Sequence, residues 1–207
     1  MGLQICLDFG RIHWVIKLDP KIFKVDKDYE NHSIDIDRKL GLKISQTEDI
    51  LRSQVSEINH EFNSRTWIGL DGQVLNTPYG EIFEMAQALA PYKIESIVDL
   101  GAGYGRLGVV FSSFYPDVEF RGYELLSQRV EQGNNLYQRL GLNNCELIQQ
   151  NILENFNLPD VQLYFIYDFS DTQHLKVLVS KLSDMMYKRK FFVIARGKAV
   201  RSLIQYQ

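Results

Sequence analysis

The chain has few of the residues that mark disulfide-rich, metal-binding or membrane proteins. Its 207 residues include only two cysteines, Cys6 and Cys145, and four histidines without ligand spacing. Two distant thiols form neither a disulfide framework nor a metal cluster. No apolar run approaches the roughly 20 residues of a transmembrane helix, and the start does not read as a signal peptide. The composition predicts a cytoplasmic protein with no structural metal and no membrane partner.

An excess of basic charge is also missing. Lys and Arg total 23 against 26 Asp and Glu, so the net charge is −3 at pH 7. A broad nucleic-acid surface needs clustered Lys and Arg to replace the counterions of the phosphate backbone. Hydrophobic residues make up 45% of the chain, which is enough to bury one good core at this length. We therefore expect a globular domain of enzyme size, in an oligomeric state that the sequence does not specify.

Glycines concentrate after the short apolar strand 97–100, where the chain reads Gly101-Ala102-Gly103-Tyr104-Gly105. Glycine permits the sharp turns that bring backbone close to a ligand, and the free N–H groups of a following helix point at that ligand. The overlapping frame 103–108 spells the G-x-G-x-x-G of dinucleotide sites. Asp99 opposes that interpretation, because a carboxylate repels a pyrophosphate and attracts a cationic amino group. The loop thus predicts an adenosine cofactor such as S-adenosylmethionine, with NAD as the lesser alternative.

Two further strand ends supply candidate cofactor contacts. Glu124 ends the strand that begins at Val118, near the ~20-residue offset at which an acid binds ribose hydroxyls. The next strand, 146–149, leads to Asn151 and Ile152. The amide of Asn151 either pairs with an adenine edge or forms a turn that caps the next segment.

The order Asp-x-Gly-x-Gly-x-Gly resembles the first motif of the class I, seven-stranded S-adenosylmethionine-dependent methyltransferases. The segment Gly122-Tyr123-Glu124-Leu125 is similar to the second motif of bacterial and mitochondrial protein-lysine methyltransferases, and Tyr79-Gly80-Glu81 resembles a segment of the histone lysine enzymes. The resemblance spans residues 76 to about 196. It implies the following cofactor-binding residues: Tyr79, Asp99, Gly101, Ala102, Gly103, Tyr104, Gly105, Glu124, Leu125, Asn151, Ile152 and Asp168. Tyr79 either borders the cofactor or packs under the sheet.

The resemblance also places reaction chemistry after the strand 161–167. An aromatic pocket of Tyr104, Tyr167 and Phe169 would favour a neutral amine, and Asp168 would orient that amine or remove its proton. The predicted catalytic residues are Asp168, Tyr167 and Phe169. The predicted acceptor is a protein lysine, ahead of a small molecule and RNA. Arg196, after the last strand, disfavours a metal ion. The alternative function is a degenerate, methyltransferase-like module that binds cofactor and serves as a partner scaffold.

From residue 77 onward, alternating helix and strand patterns predict an α/β fold with a doubly wound, mostly parallel, Rossmann-like sheet. Helices are predicted over 126–140 and 172–187. The resemblance implies two further strands that the sequence does not supply, so we expect a shortened C-terminal end and a β-hairpin over 3–18 that covers or extends the sheet. Residues 76–207 would form the cofactor-binding domain. Residues 1–75, with a helix near 46–62, would be an N-terminal extension that acts as a lid or a brace.

Overall fold

A computed structural model describes residues 2–8, 11–62, 67–68, 70–154 and 156–205, and of 2–17 and 59–62 it describes the backbone alone. We call residues 2–75 the N-terminal region. It begins with strands β1 (Gly2–Asp8) and β2 (Arg11–Lys17), which pair antiparallel, and a 3-10 helix (Pro20–Phe23). Four helices follow: α1 (Tyr29–Leu40), α2 (Ile44–Ser53), α3 (Val55–Phe62) and α4 (Gly72–Leu75).

The rest of the chain alternates helices and strands. The elements are α5 (Tyr79–Leu89), β3 (Ser96–Leu100), α6 (Arg106–Phe114), β4 (Glu119–Glu124), α7 (Ser127–Leu140), β5 (Cys145–Gln149), β6 (Leu163–Tyr167), α8 (Thr172–Met186), β7 (Phe192–Arg196) and α9 (Lys198–Gln205). In the described part of the chain, these strands form one parallel sheet in the order β5-β4-β3-β6-β7. The strand order reverses at β3, as in doubly wound nucleotide-binding sheets. The predicted fold class is confirmed.

Both faces of the sheet are covered, which explains why the central strands β3 and β6 consist mainly of buried apolar residues. Ile97 and Phe120 are fully buried in a core shared with α5, α6 and α7. Val98 and Tyr164 point to the opposite face and are fully buried in a second core with α8 and α9. Burying a large apolar side chain contributes about 1.5–3 kcal/mol, so these two cores hold β3 rigidly at the centre of the sheet.

Local signals at helix ends explain the agreement for α7 and α8. Gly141 follows α7 in the left-handed conformation, with φ of 68°, which glycine adopts without a steric penalty. Asp171 caps α8 by accepting the N–H groups of Gln173 and His174 at 2.9 and 3.0 Å. These bonds and the nearby His174 ring lower the pKa of the Asp171 carboxyl. The helices predicted over 126–140 and 172–187 are therefore confirmed to within one residue at each end.

The structure corrects two expectations about the N-terminal half. The predicted hairpin is present, but it forms a two-stranded sheet of its own beside α7 and does not extend the five-stranded sheet; residues 9 and 10, between its strands, lie outside the described residues. The helix predicted near 46–62 is divided at Gln54 into α2 and α3. No helix among the described residues is long and apolar enough to cross a membrane.

Candidate cofactor and acceptor cavity

The parallel strands all end at one edge of the sheet, and a cavity of about 640 Å³ opens there. Parallel sheets place ligand sites at this edge because the loops after the strands converge on it. Nine residues predicted for the site line the cavity: Gly101, Gly103, Glu124, Leu125, Asn151, Ile152, Tyr167, Asp168 and Phe169. The structure thus brings together predicted residues from the loops after β3, β4, β5 and β6.

The glycine loop between β3 and α6 has a backbone that other residues rarely adopt. Gly101, Gly103 and Gly105 have φ angles of 89°, 55° and 77°. A Cβ atom on Gly101 would lie 2.6 Å from Cβ of Phe169, and one on Gly103 would lie 2.8 Å from Oδ1 of Asn76. Side chains at the two cavity-lining glycines would therefore strain the loop and fill space beside the cavity. Ala102, between them, is buried and contacts the small side cavity described below.

Glu124 at the end of β4 is held in place from both sides. Its Oε2 accepts the N–H of Gly103 at 2.9 Å, and its Oε1 accepts the N–H of Leu126 at 3.1 Å. The guanidinium of Arg129 lies 3.5 Å from Oε1. The side chain is about 7% exposed and borders the cavity, so an oriented carboxylate is presented to any ligand there.

Asp99 is not among the described residues that line the main cavity, although its charge suggested a direct contact with a cationic ligand. The residue is 4% exposed, and its Oδ1 has no hydrogen-bond partner among the described residues. It contacts a side cavity of about 20 Å³ that shares Leu75, Gly101 and Tyr167 with the main cavity. Burial, and then the charge of Glu124, raise the pKa of Asp99 well above its usual range. An unpartnered buried carboxyl costs free energy until it finds a hydrogen-bond donor or a cation.

Asn151 follows the turn interpretation. Its amide nitrogen donates to Glu154 at 2.8 Å, and its Oδ1 accepts the N–H of Leu153 at 3.1 Å. These bonds close the turn after β5 while the residue still borders the cavity. The described contacts of the side chain are therefore local ones, and its predicted pairing with adenine would use the remaining amide hydrogen and lone pair.

Asp168 after β6 caps the last helix. Its Oδ2 accepts the N–H of Ala199 at 3.0 Å and its Oδ1 accepts that of Val200 at 2.9 Å. Gly197, with φ of 104°, turns the chain into α9 so closely that a Cβ there would collide with this carboxylate. Sequence reasoning assigned Asp168 to the reaction and missed this cap, because α9 itself was not predicted.

The predicted aromatic residues separate into two groups. Tyr167 and Phe169 border the cavity; the Tyr167 hydroxyl donates to the carbonyl of Val74 at 3.2 Å, and the Arg196 guanidinium lies 4.4 Å from its ring centre. Tyr104 is fully buried and donates to Glu48 Oε1 at 2.7 Å. Burial raises the pKa of Tyr104, so it remains a neutral donor. Tyr104 is absent from the described lining of the cavity, so the predicted three-ring pocket contains only two rings.

Tyr79 packs under the sheet, which was the second of its two predicted positions. It is fully buried, stacks on Phe23 with ring centres 5.4 Å apart and donates to Asp37 Oδ1 at 3.0 Å. Burial, followed by the Asp37 charge, raises its pKa well above the usual range. Asp37 is also paired with Arg106, the first residue of α6. Tyr79 therefore supports the glycine loop through its neighbours rather than bordering the main cavity.

Gly105 also supports the loop from beneath. It precedes α6 as the N-cap, and its carbonyl accepts the Tyr137 hydroxyl of α7 at 2.8 Å. A Cβ atom at this position would overlap that hydroxyl, so glycine is needed for packing as well as for the turn.

The sequence allowed the N-terminal region to be a lid, but it identified none of the residues that this region contributes to the cavity. We call Trp67, Leu70, Val74 and Leu75 the apolar wall; all four border the cavity. Trp67, Leu70 and Val74 are 45%, 40% and 60% exposed, which is unusual for adjacent large apolar side chains. Arg129, on the polar side of the same cavity, was missed because a helical arginine is usually a surface residue. No periodic pattern in the sequence indicates that the apolar wall or Arg129 borders the cavity.

Metal ligands are not grouped in the described parts of the chain: no three His, Cys, Asp or Glu side chains there are placed to hold an ion. At the end of β7, Arg196 instead pairs with Glu81 of α5 through two bonds of 2.7 and 3.1 Å. This pair joins Glu81 of the Tyr79-Gly80-Glu81 segment to the sheet.

Comparisons with known proteins find similar structures without similar sequences. No protein-family model and no curated protein sequence matches the chain. Coclaurine N-methyltransferase, solved with N-methylheliamine and SAH (S-adenosylhomocysteine), is 14% identical with a TM-score of 0.45; the match covers 79% of this chain and 57% of that enzyme. The SAH-bound methyltransferase PaMTH1 of Podospora anserina is 10% identical with a TM-score of 0.48, over 78% of this chain and 67% of that protein.

PKMT2 from Rickettsia typhi is 19% identical with a TM-score of 0.40, over 44% of this chain and 19% of that protein. The chain thus spans just over half of the coclaurine enzyme and a smaller share of PKMT2. At these identities the similarity concerns the fold.

Proposed function

We propose that this protein binds S-adenosylmethionine in the cavity and transfers its methyl group to an acceptor. The observation that carries the proposal is the contact between Glu124 and the glycine loop, a 2.9 Å bond from the N–H of Gly103 at the reversal point of the sheet. Such a loop leaves room for a ligand next to the backbone, and the oriented carboxylate accepts two vicinal hydroxyls. Both features match an adenosine ribose.

Two further features of the cavity region fit the rest of this cofactor. Gly101 and Gly103 border the cavity without a side chain, so a ligand can approach their backbone closely. The unpartnered Oδ1 of Asp99 lies at the side cavity that Gly101 shares with the main one. A cationic amino group placed there would satisfy this buried oxygen and favour its ionised form. The nicotinamide ring of NAD⁺ is also cationic, but its ring nitrogen carries no N–H to donate to this oxygen.

The cofactor would supply a methyl group bound to a positively charged sulfur. The acceptor bonds to the methyl carbon from the side opposite the sulfur as the carbon–sulfur bond breaks, and SAH is the leaving group. The residues of this chain align the two reactants and exclude water. Glu124 orients the ribose, and the apolar wall borders the same cavity as the glycine loop. Tyr167 and Phe169 border the end of β6, where we place the acceptor. This division of the cavity leaves little acid–base chemistry for the protein to perform.

The acceptor that we favour is an amine, with a protein lysine first, a small molecule second and RNA third. Tyr167 and Phe169 provide aromatic, partly water-free surroundings, which favour the neutral and therefore nucleophilic form of an amine. Asp168 lies next to them, fixed by its two bonds to α9, with lone pairs left to orient the amine or accept its proton. A carboxylate held in this way keeps its position when the acceptor enters.

The test is calorimetric titration of the purified chain with S-adenosylmethionine, SAH and NAD. We expect the first two to bind and NAD to fail. Glu124→Gln should weaken SAH binding, whereas Glu119→Gln, a matched change at the exposed opposite end of β4, should not. Binding of NAD alone would contradict the proposal.

A second measurement addresses the reaction. Transfer of radiolabelled methyl groups to lysine-containing peptides, to small amines and to RNA would identify the acceptor class. Tight SAH binding without transfer to any of them would favour the scaffold alternative, which keeps the cofactor site and loses the chemistry.

A further inference from the structure

A buried group of charges connects the N-terminal region to the carboxylate of Glu124. We call Glu48, Arg129, Glu124 and Tyr104 the charge cluster. Arg129 donates from Nε to Oε1 of Glu48 at 2.9 Å and from Nη2 to Oε2 at 3.2 Å, while its Nη1 lies 3.5 Å from Oε1 of Glu124. The Tyr104 hydroxyl donates to Glu48. A single guanidinium thus contacts two carboxylates from regions far apart in the sequence.

The Arg129 guanidinium contacts its two acids unequally. Glu48 of α2 takes the two-pronged contact, which is the strongest geometry available to an arginine. Glu124 keeps the longer contact, so its oxygens are oriented by Arg129 without being covered by it. The Glu48, Arg129 and Glu124 side chains are 2%, 8% and 7% exposed, which leaves water little access to replace any of these contacts.

Arg129 also fixes one end of the apolar wall. Its Nη2 donates to the backbone carbonyl of Trp67 at 2.7 Å. The same side chain therefore contacts the carboxylate at the ribose end of the cavity and the backbone that carries Trp67. Burial opposes the charge of Arg129, but the charge of Glu124 and the bonds to Glu48 outweigh burial and raise its pKa.

We infer that Glu48 and Arg129 are positioning residues through which the N-terminal region sets the affinity of Glu124 for the ribose hydroxyls of the cofactor. This inference rests on the proposed cofactor. Glu48 holds the guanidinium back, so that Glu124 keeps lone pairs for the ligand. Without Glu48, Arg129 is free to close onto Glu124 and occupy the oxygens that the ribose would use.

A second buried pair separates this role from a general brace. Asp37 of α1 binds Arg106, which also donates to the Thr77 carbonyl and to Gln73. That pair fastens the N-terminal region to α6 as firmly as the charge cluster fastens it to α7. None of its described bonds reaches Glu124. Both pairs attach the N-terminal region to the sheet domain. They differ because only the Glu48–Arg129 pair contacts the carboxylate that faces the ribose.

The decisive measurement compares two ligands, SAH and its 2′-deoxyribose analogue. The wild-type chain should prefer SAH by about tenfold, because the analogue lacks one hydroxyl bonded to a charged acceptor. In Glu48→Gln, this preference should fall to about threefold or less, since Arg129 then competes for Glu124. A change that only loosened the fold would weaken both ligands equally and leave their ratio intact.

The matched control is Arg139→Ala, on the same helix as Arg129. Arg139 also contacts the N-terminal region, by donating to the carbonyls of Leu40 and Gly41 at 3.0 and 3.4 Å, but it lies outside the charge cluster. It should keep the tenfold preference. Arg129→Lys keeps the positive charge without the fork that contacts both acids, and it should lose the preference as Glu48→Gln does.

The outcomes distinguish the inference from the function on which it rests. If the wild-type chain binds neither ligand, the proposed cofactor is wrong and the inference falls with it. If the wild type prefers SAH and both Glu48→Gln and Arg129→Lys keep the full preference, only the positioning role is overturned. A variant too unstable for calorimetry is measured by the shift that each ligand produces in its melting temperature.

Discussion

The acidic ends of β3 and β4 lie side by side and hold their carboxyl groups in opposite ways. Glu124 has backbone N–H donors on both oxygens and a guanidinium nearby, whereas one buried oxygen of Asp99 has no hydrogen-bond partner in the part of the chain that the structure describes. The first is preorganised before any ligand arrives. The second is strained by burial and gains most when a cation enters. Two acids that look equivalent in the sequence are therefore held differently, and under the proposed function Glu124 would orient the ribose while Asp99 would recognise a positive charge.

Of all the predicted changes, removal of the Glu124 side chain should reduce SAH affinity the most. We expect Glu124→Ala to raise the dissociation constant for SAH by at least about 100-fold, since two hydrogen bonds to a charged group contribute about 1.5–3 kcal/mol each. Stability should also fall, by about 1–3 kcal/mol, because the N–H groups of Gly103 and Leu126 lose their acceptor. Calorimetry and denaturant unfolding measure the two effects. Unchanged SAH affinity would remove Glu124 from the cofactor site.

At Asp99, unlike at Glu124, we expect a substitution to weaken cofactor binding while it increases stability. Its folded pKa is raised, so the carboxyl favours the folded state only below its unfolded pKa near 4, and stability is lost as pH rises toward the folded pKa. Each unit of raised pKa costs about 1.4 kcal/mol at high pH. Asp99→Asn cannot ionise, so it should gain stability relative to wild type between pH 4 and pH 8, while binding S-adenosylmethionine more weakly.

Thermal melting at the two pH values measures this gain. A change of about 2–4 °C in melting temperature is expected for each kcal/mol in a domain of this size. If the stability of both proteins depends on pH in the same way, the pKa of Asp99 is not raised in the folded state. The isosteric amide keeps the side chain in place, so a loss of packing does not confuse the comparison.

Asp168 extends the comparison to the end of β6. Asp168→Ala should cost about 0.5–2 kcal/mol of stability, because the N–H groups of Ala199 and Val200 lose their cap. The affinity for SAH should stay within about twofold, since no contact joins Asp168 to Glu124 or Asp99 among the described residues. The informative quantity is the transfer rate at saturating cofactor: full activity would restrict Asp168 to capping, and its loss with normal SAH affinity would support the acceptor role.

The smallest effect is expected at the pair between Glu81 and Arg196. The Glu81 side chain is 34% exposed, so solvent screens its two bonds to the guanidinium. Glu81→Gln should reduce stability by about 0.5–1 kcal/mol and leave SAH binding unchanged. A large loss of binding would instead connect Glu81 to the cavity through Arg196 and the Tyr167 ring below it. Denaturant unfolding and calorimetry on the same sample make the comparison.

The parts of the fold that were predicted depend on neighbours in the sequence. The strands from β3 to β7, and the helices α7 and α8, are specified by local apolar periodicity, by Gly141 and by Asp171. The break at Gln54 has no glycine or proline to announce it, so α2 and α3 read as one helix. Local patterns predict elements well because their causes lie within a few residues.

The site was predicted where chemistry is carried by a loop and missed where it depends on distant partners. The glycines and Glu124 form a recognisable order along the chain. The position of Tyr104 depends instead on Glu48, 56 residues earlier, and that of Arg129 on the same acid, 81 residues earlier. Neither pairing leaves a periodic signal. The resemblance gave Asp168 its reaction role, and its capping role was missed because the helix that it caps, α9, was not predicted.

The ion pairs between the N-terminal region and the sheet also determine the order in which the molecule can be completed during synthesis. Asp37 and Glu48 emerge from the ribosome well before their partners Arg106 and Arg129, which lie 69 and 81 residues further along. Until those arginines are made, α1 and α2 carry carboxylates that cannot be buried at low cost. Their final packing must wait for α6 and α7, so the part of the chain made first is among the last to become native.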